Sequence, residues 1–118
     1  MQTLAAANNY ANSLIGLERF EEAGSLLRKM MPVARRVLGD CHDLTLSICS
    51  GYAETLYKDD DATLDDLREA VTTLEDATRT ARRVLGGAHP DVLGIGNSLQ
   101  EARAALRARE TPSPGGSA

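Results

Sequence analysis

One six-residue stretch occurs twice in this chain of 118 residues and constrains its fold more than any other feature. Residues 34–39 read Ala-Arg-Arg-Val-Leu-Gly, and residues 81–86 carry the same six residues in the same order. A histidine follows three residues after the glycine in both places, as His42 and as His89. Chance does not readily produce such a recurrence in a short chain, so the sequence predicts a tandem repeat.

Apolar residues recur at steps of three and four along five stretches, which is the spacing of one helical face. The pattern predicts helices over residues 3–16, 20–38, 43–58, 63–85 and 90–109. The expected buried stripe of the first helix is Leu4, Ala7, Tyr10, Ala11 and Leu14, and it returns 42 residues later in the third helix. The stripe of the second helix is Phe20, Ala23, Leu27, Met30, Ala34 and Val37, and it returns 47 residues later in the fourth.

The two offsets differ by five residues, and the difference falls between Leu56 and Leu67. It predicts either an insertion in the turn of the second repeat, where added residues cost little stability, or an extra first turn on the fourth helix. Thr63, with Asp66 three residues later, predicts a capped start for the fourth helix. The same capping argument assigns His42 and His89 to helix starts. Pro32 lies inside the second stripe, and because the stripe keeps its phase we expect a bend rather than two helices.

Composition excludes several classes of function. Hydrophobic residues make up 42% of the chain with one Phe, three Tyr and no Trp, which suits packed helices better than a β-sandwich. The net charge of −4 argues against nucleic acid as a partner. No apolar run approaches the roughly 18 residues of a membrane span. We therefore expect a cytoplasmic protein, and its two cysteines, Cys41 and Cys49, have no metal-ligand spacing.

The repeated stripes resemble the tetratricopeptide helix–turn–helix signature. Tyr10-Ala11 is followed by Leu14, Phe20, Ala23 and Leu27, and Tyr52-Ala53 is followed by Leu56, Leu67, Ala70 and Leu74. The segments that join the repeats, residues 38–46 and 85–93, resemble the Leu-Gly-x-x-His-Pro-x-Thr-Leu junction of kinesin-light-chain-type tetratricopeptide repeats. The 42-residue spacing also suits that longer subclass. Three positions depart from its pattern: Asp43 replaces proline, Val92 replaces threonine, and Glu18 stands where the turn usually has glycine.

This resemblance implies an all-α fold, an α-solenoid of antiparallel helix pairs with about two and a half repeats and five helices. We expect residues 1–109 to form this helical repeat domain. Residues 110–118 are rich in Pro, Gly and Ser and are expected to be a disordered tail. Thr111 and Ser113 each precede a proline there, which makes them weak candidates for proline-directed phosphorylation.

The resemblance also implies a non-catalytic scaffold that binds a peptide or a partner helix on its concave face. No nucleophile–histidine–acid arrangement is recognisable in the sequence, and no cofactor or metal is expected. His42 and His89 occupy equivalent repeat positions, too far apart to share a metal ion. The groove-facing positions carried over from the family are polar, and an equally weighted interpretation is that they form the ordinary solvated face of amphipathic helices. They are Asn8, Asn9, Asn12, Ser50, Glu54, Asn97, Ser98 and Glu101.

Two alternatives to this function stay open from the sequence. The chain could be a structural module that forms a homodimer through its uncapped first helix, where Leu4, Ala7, Ile15 and Leu17 have no upstream repeat to cover them. It could also be a fragment of a larger multidomain signalling or adaptor protein, because about three repeats are usually needed for a stable array.

Overall fold

The computed structural model describes residues 2–110, and these residues form five α-helices and no strand. The prediction of an all-α fold with five helices is confirmed. Residues 111–118, which include Thr111, Ser113 and all but the first residue of the predicted tail, lie outside the described residues. The helices are α1 (Gln2–Gly16), α2 (Phe20–Leu38), α3 (Asp43–Tyr57), α4 (Leu64–Leu85) and α5 (Pro90–Glu110).

The helices pack as a stack of pairs. Each helix contacts the next one along the chain; in addition α1 contacts α3, and α3 contacts α5. Within the described part of the chain, the backbones of α2 and α4 do not approach each other, and the two helices meet through side chains such as Arg28 and Glu69. The odd-numbered helices therefore form one continuous row, which we call the inner row, and the even-numbered helices lie apart on the other side.

Helix α3 is the central element because both of its faces are buried. Ile48 and Tyr52 belong to a cluster with side chains of α1 and α2, while Leu46, Cys49 and Ala53 belong to a second cluster with α4 and α5. A helix that is covered on two sides shows a weak amphipathic pattern. The helices beside it have one apolar stripe each, as α2 and α4 show by burying only side chains at steps of three and four.

The helix ends form as their sequences predicted. The Nδ1 atoms of His42 and His89 each accept a hydrogen bond of 3.1 Å from the backbone N–H two residues later. Thr63 and Asp66 form a reciprocal capping box at the start of α4. Such caps satisfy backbone N–H groups that have no partner inside the helix. Helix α2 runs through Pro32 without a break.

The turn between α1 and α2 explains the family's preference for glycine at the position of Glu18. The N–H of Arg19 bonds to the carbonyl of Leu14 at 2.8 Å, and the N–H of Glu18 bonds to the carbonyl of Ile15 at 2.9 Å. This pair of bonds is the Schellman motif, whose C′ residue adopts a left-handed conformation. Glu18 is that residue, with φ of 60°, and it is the one non-glycine residue of the described chain at positive φ.

Two equivalent valines lie outside the core, in contrast to the sequence prediction. Val37 is 52% exposed and Val84 is 63% exposed. The stripes were extended by three residues from Ala34 and from Ala81, but the buried face continues by four. Leu38 and Leu85, each four residues after one of these alanines, pack against the two core clusters instead.

The two equivalent tyrosines have different surroundings, which corrects the prediction that both are buried. Tyr52 is 1% exposed, whereas Tyr10 is 58% exposed. The Tyr52 hydroxyl donates to Glu69 of α4 and accepts from Arg28 of α2, both at 2.6 Å. Tyr52 is buried because helices lie on both sides of α3, while α1 has described helices on one side alone.

A substitution tests the strain at Glu18. Glu18→Gly is expected to raise the free energy of unfolding by about 0.5–1 kcal/mol, because glycine adopts positive φ without steric cost. The matched control is Glu21→Gly in the first turn of α2, which is expected to lower stability by about 1 kcal/mol. Urea denaturation followed by circular dichroism measures both. A loss of stability for Glu18→Gly would contradict the turn geometry.

The tyrosine pair gives a second test. Tyr52→Phe removes a hydroxyl that bridges α2 and α4 and is expected to lower the free energy of unfolding by about 1–2 kcal/mol. Tyr10→Phe removes an exposed hydroxyl and is expected to change it by less than about 0.5 kcal/mol. Thermal unfolding of the two variants under the same conditions measures the difference. Equal effects would show that the repeats bury these positions alike.

Candidate functional site

The inner row carries the polar positions predicted to line a binding groove, and these side chains differ in exposure. Asn9 and Asn12 on α1 are exposed, as are Asn97 and Glu101 on α5. Three others are partly buried and one is buried. The partly buried side chains are Ser50, Glu54 and Ser98, and the buried one is Asn8.

Asn8 joins α1 to α3 instead of standing free on the surface. The residue is 6% exposed, and its Nδ2 donates a hydrogen bond of 3.1 Å to Oγ of Ser47. Its Oδ1 atom is buried without a hydrogen-bond partner among the described residues. A buried amide oxygen of this kind is costly to leave unpaired. Asn8 is therefore a fixed part of the row, and its exposed neighbour Asn12 is the more accessible amide.

A glycine on α3 lets the Asn12 side chain of α1 lie close to the α3 backbone. Gly51 is buried, and a Cβ atom built on it would lie 3.2 Å from Cδ1 of Leu27 and 3.8 Å from Oδ1 of Asn12. A larger residue would have to displace the Leu27 side chain. The missing side chain at position 51 therefore lets α1 and α2 approach α3 closely, and it leaves the Asn12 amide beside the α3 backbone.

Sequence reasoning missed a polar contact between α3 and α5. The Tyr57 hydroxyl donates to Glu101 at 2.8 Å, and Lys58 Nζ donates to Glu54 at 2.8 Å. Partial burial and the hydrogen bond to Glu101 raise the pKa of Tyr57, and the hydrogen bond to Glu54 raises the pKa of Lys58. Tyr57 follows Glu54 by three residues, so the helical period alone places both on one face.

Two carboxylates meet at the opposite end of the same row. Asp43 begins α3, Asp91 lies in the first turn of α5, and both line a shallow cavity of about 320 Å³. A hydrogen bond with Asp43 raises the pKa of Asp91, and the negative charge of Asp43 acts in the same direction. The cavity between these helix starts is thus acidic, with Ser47, Ser50 and Ile95 among its lining residues.

A further cavity lies away from the inner row. It has a volume of about 840 Å³ and lies at the turns that precede α2 and α4, with Phe20 and Leu26 among acidic side chains. Asp59 and Asp61 of the predicted insertion form part of its wall. The insertion itself is held from α5, because the guanidinium group of Arg109 donates to the backbone carbonyls of Asp60 and Ala62.

The described residues contain no group of three or more histidine, cysteine or acidic side chains arranged as a metal site. None of the described helices is both long enough and apolar enough to cross a membrane. Of the residues in the homodimer hypothesis, Leu4 is 4% exposed and Leu17 is 67% exposed. Self-association through α1 stays a prediction.

A family model described as tetratricopeptide repeat matches residues 3–43 and 62–91, which together are more than half of the chain. The first match covers α1, α2 and the junction to α3, and the second covers α4 and the junction to α5. No curated protein and no solved structure gave a significant match.

The carboxylate pair gives a prediction about pH. The raised pKa of Asp91 means that folding favours the protonated form of this carboxyl relative to the unfolded chain. The repulsion between Asp43 and Asp91 is therefore present at neutral pH and is relieved as the pH falls through the titration of Asp91. Asp43→Asn is expected to lower the pKa of Asp91 toward its ordinary value. Carbon-13 NMR titration of the carboxyl carbons measures it. Asp40→Asn is the control and should leave the titration of Asp91 unchanged; an unchanged pKa in Asp43→Asn would contradict the pairing.

Proposed function

Because this chain belongs to the tetratricopeptide repeat family, and the matching family is of the kinesin-light-chain type, we propose that it is a non-catalytic scaffold that binds a partner protein across the inner row. Tetratricopeptide repeats generally mediate protein–protein interactions. The proposal names the bound element as an extended peptide or a helix of the partner, held by α1, α3 and α5.

The observation that carries the proposal is the continuity of the inner row. Because α1 contacts α3 and α3 contacts α5, one ligand could touch all three helices without crossing an even-numbered helix. Three polar side chains at successive places along the row are exposed or partly exposed, namely Asn12, Glu54 and Asn97. This arrangement supports a ligand that lies across the helices.

The side chains of the row favour a ligand with free backbone amides and a positive charge. An asparagine amide donates and accepts hydrogen bonds together, which suits the alternating N–H and C=O groups of a peptide backbone. Glu54, Glu101, Asp43 and Asp91 make the row acidic, and the ammonium group of Lys58 is paired with Glu54. Capture of a partner's terminal carboxylate is not expected here, whereas a lysine or arginine of the partner would meet complementary charge.

The test combines selection of a ligand with mapping of its position. Peptides that bind the wild-type chain are selected from a library and counter-selected against the Asn12→Ala/Glu54→Ala variant. Amide NMR signals of Asn12, Glu54 and Asn97 are expected to shift together when a selected peptide is added, and the variant should bind about tenfold more weakly or worse.

The control variant is Lys29→Ala, an exposed position on α2, which should bind like the wild type. Shifts confined to α2 and α4 would contradict the placement on the inner row. The same variants serve in a pull-down from lysate, where loss of a partner by Asn12→Ala/Glu54→Ala but not by Lys29→Ala is the expected result.

A further inference from the structure

A second surface, unrelated to the inner row, carries a concentration of positive charge. A groove of about 510 Å³ runs between α4 and α5, and four arginines line it: Arg79, Arg82, Arg83 and Arg103. Arg103 is paired with Glu75 at 3.0 Å, and Arg79 is paired with Asp76 at 3.1 Å. Four guanidinium groups thus face two carboxylates on a chain whose net charge is −4.

Two of the arginines have no acidic partner. Arg82 and Arg83 are exposed and form no ion pair with any residue that the structure describes. Their position in the last turn of α4 complements the helix dipole, which would explain them without a ligand. Arg35 and Arg36 have the same position in α2, however, so the dipole does not account for what differs between the two repeats.

The equivalent surface of the first repeat is apolar and faces another helix. Met31 and Leu56 pack there against the buried cluster of α3, α4 and α5. Beside them, the surroundings of Arg35 are bounded by Asp76 and Thr80 of α4. In the first repeat, the surface formed by α2 and α3 is therefore covered by α4, which is held there by packing and by charge.

In the second repeat, the equivalent surface formed by α4 and α5 is positively charged instead of apolar. Forty-seven residues after Met31 stands Thr78, and forty-seven after Leu56 stands Arg103. No described helix covers the groove, whose lining residues all come from α4 and α5. An apolar helix like α4 would bury the guanidinium group of Arg103 against its stripe, at a high desolvation cost. The groove between α4 and α5 thus suits a charged ligand.

A buried hydroxyl marks the floor of the groove. Thr78 lines it and is 7% exposed, and its Oγ1 atom is buried without a hydrogen-bond partner in the part of the chain that the structure describes. A buried hydroxyl normally finds a partner, and it can donate to an oxygen of a ligand. Together with the free guanidinium groups, it offers donors and positive charge but few acceptors.

We propose that this groove binds an acidic peptide segment of a partner protein, with carboxylates on Arg82 and Arg83 and a peptide oxygen accepting from Thr78. In the first repeat, a guanidinium–carboxylate pair joins the two helices at the equivalent groove, because Glu69 of α4 lies 3.7 Å from Arg28 of α2, although the residue equivalent to Arg28 in the second repeat is Glu75. Charge-assisted bonds between guanidinium and carboxylate are short and specific.

The chain supplies an unusually close control for this site. Arg82→Gln/Arg83→Gln removes two charges from residues 81–86, and Arg35→Gln/Arg36→Gln removes two charges from the identical residues 34–39. Both pairs lie in the last turn of a helix, and both variants have the same net charge. A difference in binding between them therefore reports the groove and not the overall charge of the chain.

The probe is a fluorescent peptide of about a dozen residues, rich in Glu and Asp, and fluorescence anisotropy measures its affinity for the whole chain at low and at physiological salt. The wild type is expected to bind, more weakly as salt rises. Arg82→Gln/Arg83→Gln should weaken binding about tenfold, and Thr78→Val about threefold, whereas Arg35→Gln/Arg36→Gln should stay within about twofold. A lysine-rich peptide of the same length should leave the amide NMR signals of Arg82 and Arg83 unchanged.

Amide NMR of the unmodified chain keeps the test independent of how the variants fold. The acidic peptide is expected to shift the signals of Thr78, Arg82 and Arg83 and to leave Asn12 unchanged. Absence of binding at low salt, equal losses in the two arginine variants, or shifts confined to the inner row would each overturn the proposal. A concentration-dependent dimer that buries the groove would overturn it as well. Since Asn12→Ala/Glu54→Ala leaves this groove intact, the result is separate from that of the inner row.

Discussion

Close contact between helices at alanine is the constraint on which the rest of this structure depends. Seven alanines on the five helices are fully buried, with no exposed surface: Ala11, Ala23, Ala34, Ala53, Ala70, Ala81 and Ala102. A methyl group is the smallest side chain that still excludes water, so helices that meet at alanine approach closely enough for Leu27, Leu67 and Leu74 to fill the layers beside them. A larger residue at any of these contacts would separate the pair and open the layers on both sides.

Helix α3 transmits this constraint through the whole stack. It contributes side chains to both buried clusters, so a shift of α3 against one cluster also changes its packing against the other. The hydroxyl of Tyr52 links Arg28 of α2 to Glu69 of α4, and these two side chains also lie 3.7 Å apart as an ion pair. Gly51 meanwhile allows the Leu27 side chain to approach. The positions of Asn12, Glu54 and Asn97 on the inner row thus follow from how α3 is held between its neighbours.

Helical period and repetition were sufficient to predict what depends on local sequence. Five helices, the capping histidines and the capping box of Thr63 all follow from residues within a few positions of each other. The glycine preference that Glu18 violates is also local, and it appears as a positive φ. The exposure of Tyr10 was not predictable in this way, because it depends on whether a helix lies on the far side of α1.

The candidate site divides along the same line. The exposed amides Asn12 and Asn97 lie where the period of α1 and α5 places them, but Asn8 is buried where α1 packs on α3, and there it donates to Ser47. The contact between Tyr57 and Glu101 joins residues 44 positions apart, and nothing in the spacing of either helix indicates the partner. Side-chain pairings between helices depend on tertiary packing, and the helical periods of a single sequence do not indicate them.

The duplicated hexapeptide shows most clearly that identical residues can have different tertiary surroundings. Residues 34–39 and 81–86 are identical, form the same helix end and place their arginines in the same turn. Yet Arg35 has Asp40 at 4.0 Å and α4 beside it, while Arg82 borders a groove that no described helix covers. Because an electrostatic site is defined by what surrounds the charge, two copies of one sequence have become a structural contact and a candidate binding surface. The surroundings differ because residues outside the duplicated stretch differ: Thr78 stands in place of Met31, Arg103 in place of Leu56 and Gly87 in place of Asp40, so the two identical stretches lie in different charge environments.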